Sequence, residues 1–276
     1  MNKKTFFVIL VSICMVGVLY SLPKGVVANE TKEATAERMG EKADSAAVAA
    51  SSEGAGQHTV MKLTPEQLEE IDKLKEGLKS GPKAEVFIAI SDAFFRFQRF
   101  DSSAVYAEKA ADLEPSVVNL IRAGDRYYEA FSFAMNGEKA NALAAQTRKY
   151  YQKALDLNPN YTYAKANMAM TYVNSDNPMQ AINMLRGILD EDPTNEMALF
   201  NLGVLSMKSN QYNRAVQRFS QIVANNPNNT KAKFFLAVSL IETGKKEEAG
   251  KLLKEVKQVE QDPAIQKAIA ELEERL

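Results

Sequence analysis

The sequence predicts an all-α solenoid, and three observations carry that prediction. Pro159, Pro193 and Pro227 stand 34 residues apart. Each closes an acidic or Asn-rich helix end, in "LDLNPN", "LDEDPTN" and "VANNPNN". Between the prolines, large and small apolar residues recur in phase at helical spacing. A period of this length marks a repeated helix pair. One pair cannot bury its own apolar face, so neighbours must stack on it.

Composition narrows the chemistry. Apolar residues make up 46% and charged residues 25%, as in an ordinary folded chain rather than a disordered one. The net charge of −1 argues against a broad nucleic-acid or anionic-lipid surface, which needs a basic excess. There is no tryptophan, the one histidine is His58 and the one cysteine is Cys14. No intrachain disulfide can form, and neither a His/Cys metal site nor a Ser-His-Asp or Cys-His pair is expected. Acidic residues are plentiful, but no pair stands out from a helical surface. The chain therefore reads as no enzyme, with no cofactor and no metal.

Residues 1–28 read as a membrane anchor or signal segment. Lys3 and Lys4 precede an uncharged apolar run from about Phe6 to Leu22, ended by Pro23 and Lys24. At ~1.5 Å per residue the run reaches about 26 Å, enough for a slightly thin bilayer. The two lysines should stay cytoplasmic, which places the rest on the far side, as a single-pass inner-membrane protein with a periplasmic C-terminal domain. The alternative is a cleaved signal peptide with Val26-Val27-Ala28 as the small-residue site, leaving a soluble periplasmic protein. Cys14 does not fit a lipoprotein cysteine, because Ile13 stands where a small residue is needed. Residues 29–61 are rich in Ala, Glu, Ser, Lys and Gly, and read as a flexible tether that also holds His58.

Ordered structure is expected over 62–276. Thr64 is a suitable N-cap, Pro65 suits the first helical position and Gln67 can complete a capping box. Leu63 and Leu68 suggest a hydrophobic staple. Leu68, Ile71, Leu74 and Leu78 form one stripe, and Gly81-Pro82 should stop the helix. Units then follow at about 84–117, 118–161, 162–195, 196–229 and 230–263, with a cap at 264–276. In the third and fourth units Ala181 and Ala215, Leu185 and Phe219, and Ile188 and Ile222 are in phase. So are the large-small pairs Met168-Ala169 and Leu202-Gly203. The fifth carries Leu236-Ala237, Leu240, Gly244, Ala249, Leu253 and Val256. The first is degenerate: it keeps Ile90-Ser91, Phe94, Phe100, Ala110 and Pro115, with Ser103 and Ala107 in place of the usual Ala and bulky residue. The second has 44 residues, and its ten extra ones around "FSFAMNGEKANALAAQ" should lengthen both helices about Asn136-Gly137, with Gly137 as a helix C′ residue. In the cap, Ile265, Ile269 and Leu272 form the inward stripe, with Gln266, Lys267, Glu271 and Glu274 outside.

This pattern resembles the tetratricopeptide repeat (TPR), with its large-small pair, aromatic, Ala, bulky, small and Pro positions. The order of apolar run, tether and array is similar to envelope-anchored bacterial repeat proteins. "LAVSLIETGKKEEA" and "NPMQAINML" resemble a Bacteroidota-type repeat family. The resemblance implies a right-handed α-solenoid whose first helices line a concave groove. The groove-facing positions would hold Tyr163, Asn167, Met170 and Val173 in the third unit, with Asn174 beside them. In the fourth they would hold Met197, Phe200, Asn201, Val204 and Met207, and in the fifth Lys231, Phe234 and Val238. Such a face is apolar for a surface open to water, and methionine adapts to irregular partners. Met168 and Met184 are expected in the core. Asn167 and Asn201 stand where the family often binds a peptide backbone, and the alternative is that they bond neighbouring helices. The family's peptide-carboxylate clamp is absent: Lys231 fits one element, but Ala166, Met170, Phe200, Val204 and Phe235 occupy the others. Arg122 and Arg126, one turn apart, suit either an acidic segment or a solvated face.

The function expected is a protein–protein interaction scaffold, tethered at the membrane, holding a partner peptide or helix in an apolar groove. The alternative is a structural or assembly protein acting by self-association. Membrane-driven pairing finds little support, since Gly17 is the one glycine of the apolar run. No nucleic-acid partner is expected.

Overall fold

The computed structural model describes residues 62–276. The expectations for the membrane run at 6–22, the tether at 29–61, Cys14 and His58 lie outside the described residues. The described residues form two compact units, one ending at Asn158 and one spanning Pro159–Leu276. The boundary falls at the first of the in-phase prolines. All regular structure among the described residues is helical.

The N-terminal unit holds α1 (Pro65–Glu76), α2 (Ala84–Arg96), α3 (Phe100–Leu113), α4 (Val117–Ser132) and α5 (Gly137–Leu157). The C-terminal unit holds α6 (Thr162–Met170), α7 (Pro178–Glu191), α8 (Glu196–Lys208), α9 (Tyr212–Asn225), α10 (Thr230–Glu242), α11 (Lys246–Val259) and α12 (Pro263–Glu273). Within each unit, helices consecutive in the chain pack on one another, as stacked hairpins require. In the C-terminal unit Ala215, Phe219, Ile222, Ala249, Leu253 and Val256 are all buried. These are the in-phase small and bulky positions of the second helices.

Local chemistry explains the helix ends. Thr64 accepts from the Gln67 amide while the Gln67 side chain returns to the Thr64 amide, completing the capping box. Asn195 and Asn229, each two residues after an in-phase proline, cap α8 and α10. The equivalent position before α6 is Tyr161, which makes no cap bond. α6 still starts in phase with α8 and α10, and it is short at its C-terminal end, with 9 residues against 13. Beyond it the chain tightens into three-residue turns: Thr171 donates its hydroxyl to the Met168 carbonyl, and the Tyr172 and Val173 amides reach Ala169 and Met170. The third unit's first helix thus ends before Val173 and Asn174, which the repeat register places on it.

The turns inside the α2–α3, α8–α9 and α10–α11 hairpins reveal a second periodicity. Gln98, Asn210 and Gly244 adopt φ of 57°, 57° and 80°, at the same place in their units. Behind each, an amide reaches back five residues: Arg99 to Phe94, Gln211 to Ser206 and Lys245 to Leu240. This is the left-handed C-terminal cap that glycine adopts most readily. Of these three turns only the last uses glycine. Asn210 tolerates the conformation, and Gln98 holds it against its Cβ.

The long second hairpin is as long as expected. α4 has 16 residues and α5 has 21, against 13 and 14 in the preceding pair α2 and α3. The expected role of Gly137 is corrected. It opens α5 rather than following α4, because Asn136 caps the new helix by accepting from the Lys139 amide. The first helix also differs in detail. α1 stops at Glu76, before Gly81-Pro82, and Leu68 is exposed while Ile71 is buried and Leu74 and Leu78 are half-buried. In the degenerate first unit Ser91 and Ser103 are both fully buried and each donates its hydroxyl to the other's carbonyl, at 2.7 and 2.8 Å. Two hydroxyls thereby satisfy each other where the family uses small apolar contacts. At the C-terminus Asp262 caps α12, and Ile269 and Leu272 close the last core face.

Candidate functional site

The candidate groove residues lie on the first helices of the C-terminal unit, apart from Val173, which follows α6. α8 carries Met197, Phe200 and Asn201 within one turn of one another, all half-buried. The Phe200 ring meets Phe219 and Phe235 edge-on, at 5.5 Å and 63° and at 5.1 Å and 84°. Phe219 is fully buried because Gly203 leaves room: a Cβ on Gly203 would stand 2.6 Å from the Phe219 ring. Two aromatic rings thus support Phe200 from behind. Lys231, in the first turn of α10, places its ammonium 4.5 Å from the centre of the Phe200 ring. Burial pushes the Lys231 ammonium down to about 8.

The structure narrows the expected face. Tyr163, Met170, Val173, Met197, Phe200, Asn201 and Lys231 are half-buried. Asn167, Val204, Met207, Phe234 and Val238 are buried, which corrects the expectation that they line an open surface. Val204, Met207, Phe234 and Val238 share one core cluster with Phe219, Phe235 and Ile241. α10 is buried continuously from Phe234 to Ile241, so it offers no free apolar stripe beyond its first turn. The register identifies helix faces, but it does not identify which faces stay in contact with water. Met168 is buried, and Met184 and Met170 both pack partly against the core of the third unit.

The N-terminal unit carries a charged constellation instead. Arg122 and Arg126 both reach Asp92 of α2, Arg122 at 3.1 Å, and Arg126 stacks at 3.9 Å on Phe95. Arg126 is nearly fully buried. The two arginines are therefore internal ties between α2 and α4 rather than a solvated face. Sequence reading missed Asp92, although it lies 30 and 34 residues before them, near one repeat length. It also missed Glu108, which accepts from both Tyr127 and Tyr150, whose rings stack at 5.7 Å and 6°. Among the described residues no cluster of His, Cys, Asp or Glu is arranged to hold a metal ion, and no helix is long and apolar enough to cross a membrane.

Comparison with known proteins agrees with this architecture. The tetratricopeptide repeat family matches residues 140–202 and 206–272. No curated protein sequence matches the chain. Among solved structures, a thermophilic TPR protein of Thermus thermophilus aligns with TM-score 0.50 and 14% identity, covering 62% of this chain and 89% of its own. MamA from Desulfovibrio magneticus RS-1 aligns with TM-score 0.46 and 17% identity, over 65% of this chain and 96% of its own. The likeness to the Thermus protein is one of fold.

Proposed function

We propose, from the repeats at 140–202 and 206–272, that this chain is a protein-interaction scaffold. Tetratricopeptide repeats generally mediate protein–protein contacts. The partner would lie as a peptide or helix along α8 and the start of α10, with Phe200, Asn201 and Lys231 at the centre. The observation that carries this reading is a half-buried aromatic ring on a rigid aromatic support, with a desolvated cation above it. Buried aromatic anchors beside a few polar groups supply most of the energy in such interfaces. The apolar run at 6–22 behind Lys3 and Lys4 supports tethering at a bacterial inner membrane, with the repeats on the extracytoplasmic side. Cleavage after Val26-Val27-Ala28 would give the soluble periplasmic form of the same scaffold.

Affinity capture from solubilised membranes tests the interaction. Phe200→Asp should reduce recovery of the co-purifying protein at least about tenfold, since an aromatic anchor is worth about 2 kcal/mol or more. Asn201→Lys, which leaves the aromatic support intact, should weaken recovery in the same direction. Circular dichroism of both variants confirms folding. Undiminished recovery by both folded variants contradicts the proposal.

A further inference from the structure

We propose that Lys231 and Phe200 form a subsite for an acidic side chain of the partner, set one or two residues from an apolar anchor. This rests on the reading of α8 and the start of α10 as the partner-binding face, and adds the chemistry of what binds there.

Burial without an ion pair sets Lys231 apart: Lys208, Lys251, Lys254 and Lys267 also make no ion pair among the described residues, but they are exposed. Neighbouring lysines of the C-terminal unit find acids: Lys233 pairs with Glu255, Lys165 with Glu191 and Lys257 with Glu273. Lys231, two residues from Lys233 on the same helix, makes no ion pair among the described residues. Glu196, one turn before Phe200, is engaged by the Asn229 side-chain amide at 2.8 Å. The position also runs against local electrostatics, because a cation in the first turn of a helix faces the positive end of the helix dipole. The first turn of α10 holds no acidic residue to offset it. What holds the ammonium is the face of Phe200, and that ring is fixed by Phe219 and Phe235. Burial has stripped part of its water, as its lowered proton affinity reflects. A partly desolvated, unpaired cation on an aromatic floor is complementary to a carboxylate with apolar neighbours.

The chemistry also selects the kind of carboxylate. A chain-terminal carboxylate held by this family's clamp needs several donors, and Ala166, Met170, Val204 and Phe235 replace them. One cation beside an apolar ring suits a single Asp or Glu side chain flanked by an aromatic or aliphatic residue.

A displayed library of random peptides, about 16 residues long so that a helix of four turns can form, is selected on the full chain. The expected result is enrichment of Asp or Glu within two residues of a large apolar residue. Selection on Lys231→Met should keep the apolar enrichment and lose the acidic one, while Lys231→Arg keeps both. A synthetic peptide from the enriched set should bind about tenfold more weakly when its acid becomes the amide, and that ratio should vanish on Lys231→Met. Apolar enrichment with no acidic preference, or an acidic preference that survives Lys231→Met, overturns the carboxylate subsite and leaves the partner-binding face standing. No enrichment of any kind overturns both.

Discussion

Replacing Phe219 by alanine should destabilise the C-terminal unit by about 3–5 kcal/mol, read as the loss of unfolding free energy in a urea titration. Phe219 is fully buried and packs against Gly203, Phe200 and Phe235. Removing its ring therefore opens a cavity between α8, α9 and α10. These helices belong to consecutive hairpins, so the defect weakens the contact between repeats, which is where an array stores its cooperativity. The reciprocal change is informative. Gly203→Ala inserts a methyl group 2.6 Å from the same ring and should cost about 1–3 kcal/mol by overpacking. Combining Gly203→Ala with Phe219→Leu should cost less than the sum of the two single changes, because the smaller side chain vacates the space the methyl needs. Strict additivity would mean that Gly203 and Phe219 are not in contact.

The second large effect lies in the N-terminal unit. Glu108→Ala should cost about 2–4 kcal/mol, because it leaves the hydroxyls of Tyr127 and Tyr150 buried without their acceptor. Glu108→Gln keeps an acceptor oxygen and should cost less. The same site predicts an alkaline limit. Burial first, and the Glu108 carboxylate second, push both tyrosines well above the ordinary tyrosine range of ~10. Below about pH 10 both hydroxyls are protonated in the folded and unfolded chains, and their contribution to stability is fully present. Above it the unfolded chain releases protons that the folded chain retains, so stability falls as pH rises. The ultraviolet absorbance of tyrosinate should show Tyr127 and Tyr150 ionising only as the unit unfolds. Their replacement by Phe should remove that part of the signal. Titration of both in the folded protein near pH ~10 would contradict the assignment.

The repeat is legible in the sequence because its signals are local and periodic. Pro193 and Pro227 with Asn195 and Asn229 mark helix starts, and Ala215, Phe219 and Ile222 recur one period after Ala181, Leu185 and Ile188. The extra residues of the second unit take the form expected of them, as longer helices. What stays hidden depends on partners distant in sequence or on competition between ends. Gly137 suits a C′ position in isolation, but the Asn136 side chain decides the matter by capping the next helix. Gln98 carries no mark of its left-handed backbone, which only the repeat position reveals. Asp92 and Glu108 look like any surface acids until folding brings arginines and tyrosines onto them. The candidate face is legible as to helix and not as to depth. Phe200 and Lys231 retain access, while Val204, Phe234 and Val238 are buried, because a helical register fixes direction and not the neighbours that cover it.

Partner contact along α8 and the start of α10 is open to direct measurement in intact cells. A photo-crosslinking residue is placed at Asn201, a second one at exposed Arg186 on α7, and the adducts are compared by mass spectrometry. We predict that Asn201 captures a distinct protein that Arg186 does not, and that Phe200→Asp in the same chain suppresses the capture. Equal capture at both positions, or none at Asn201, would contradict a partner-binding face on these helices.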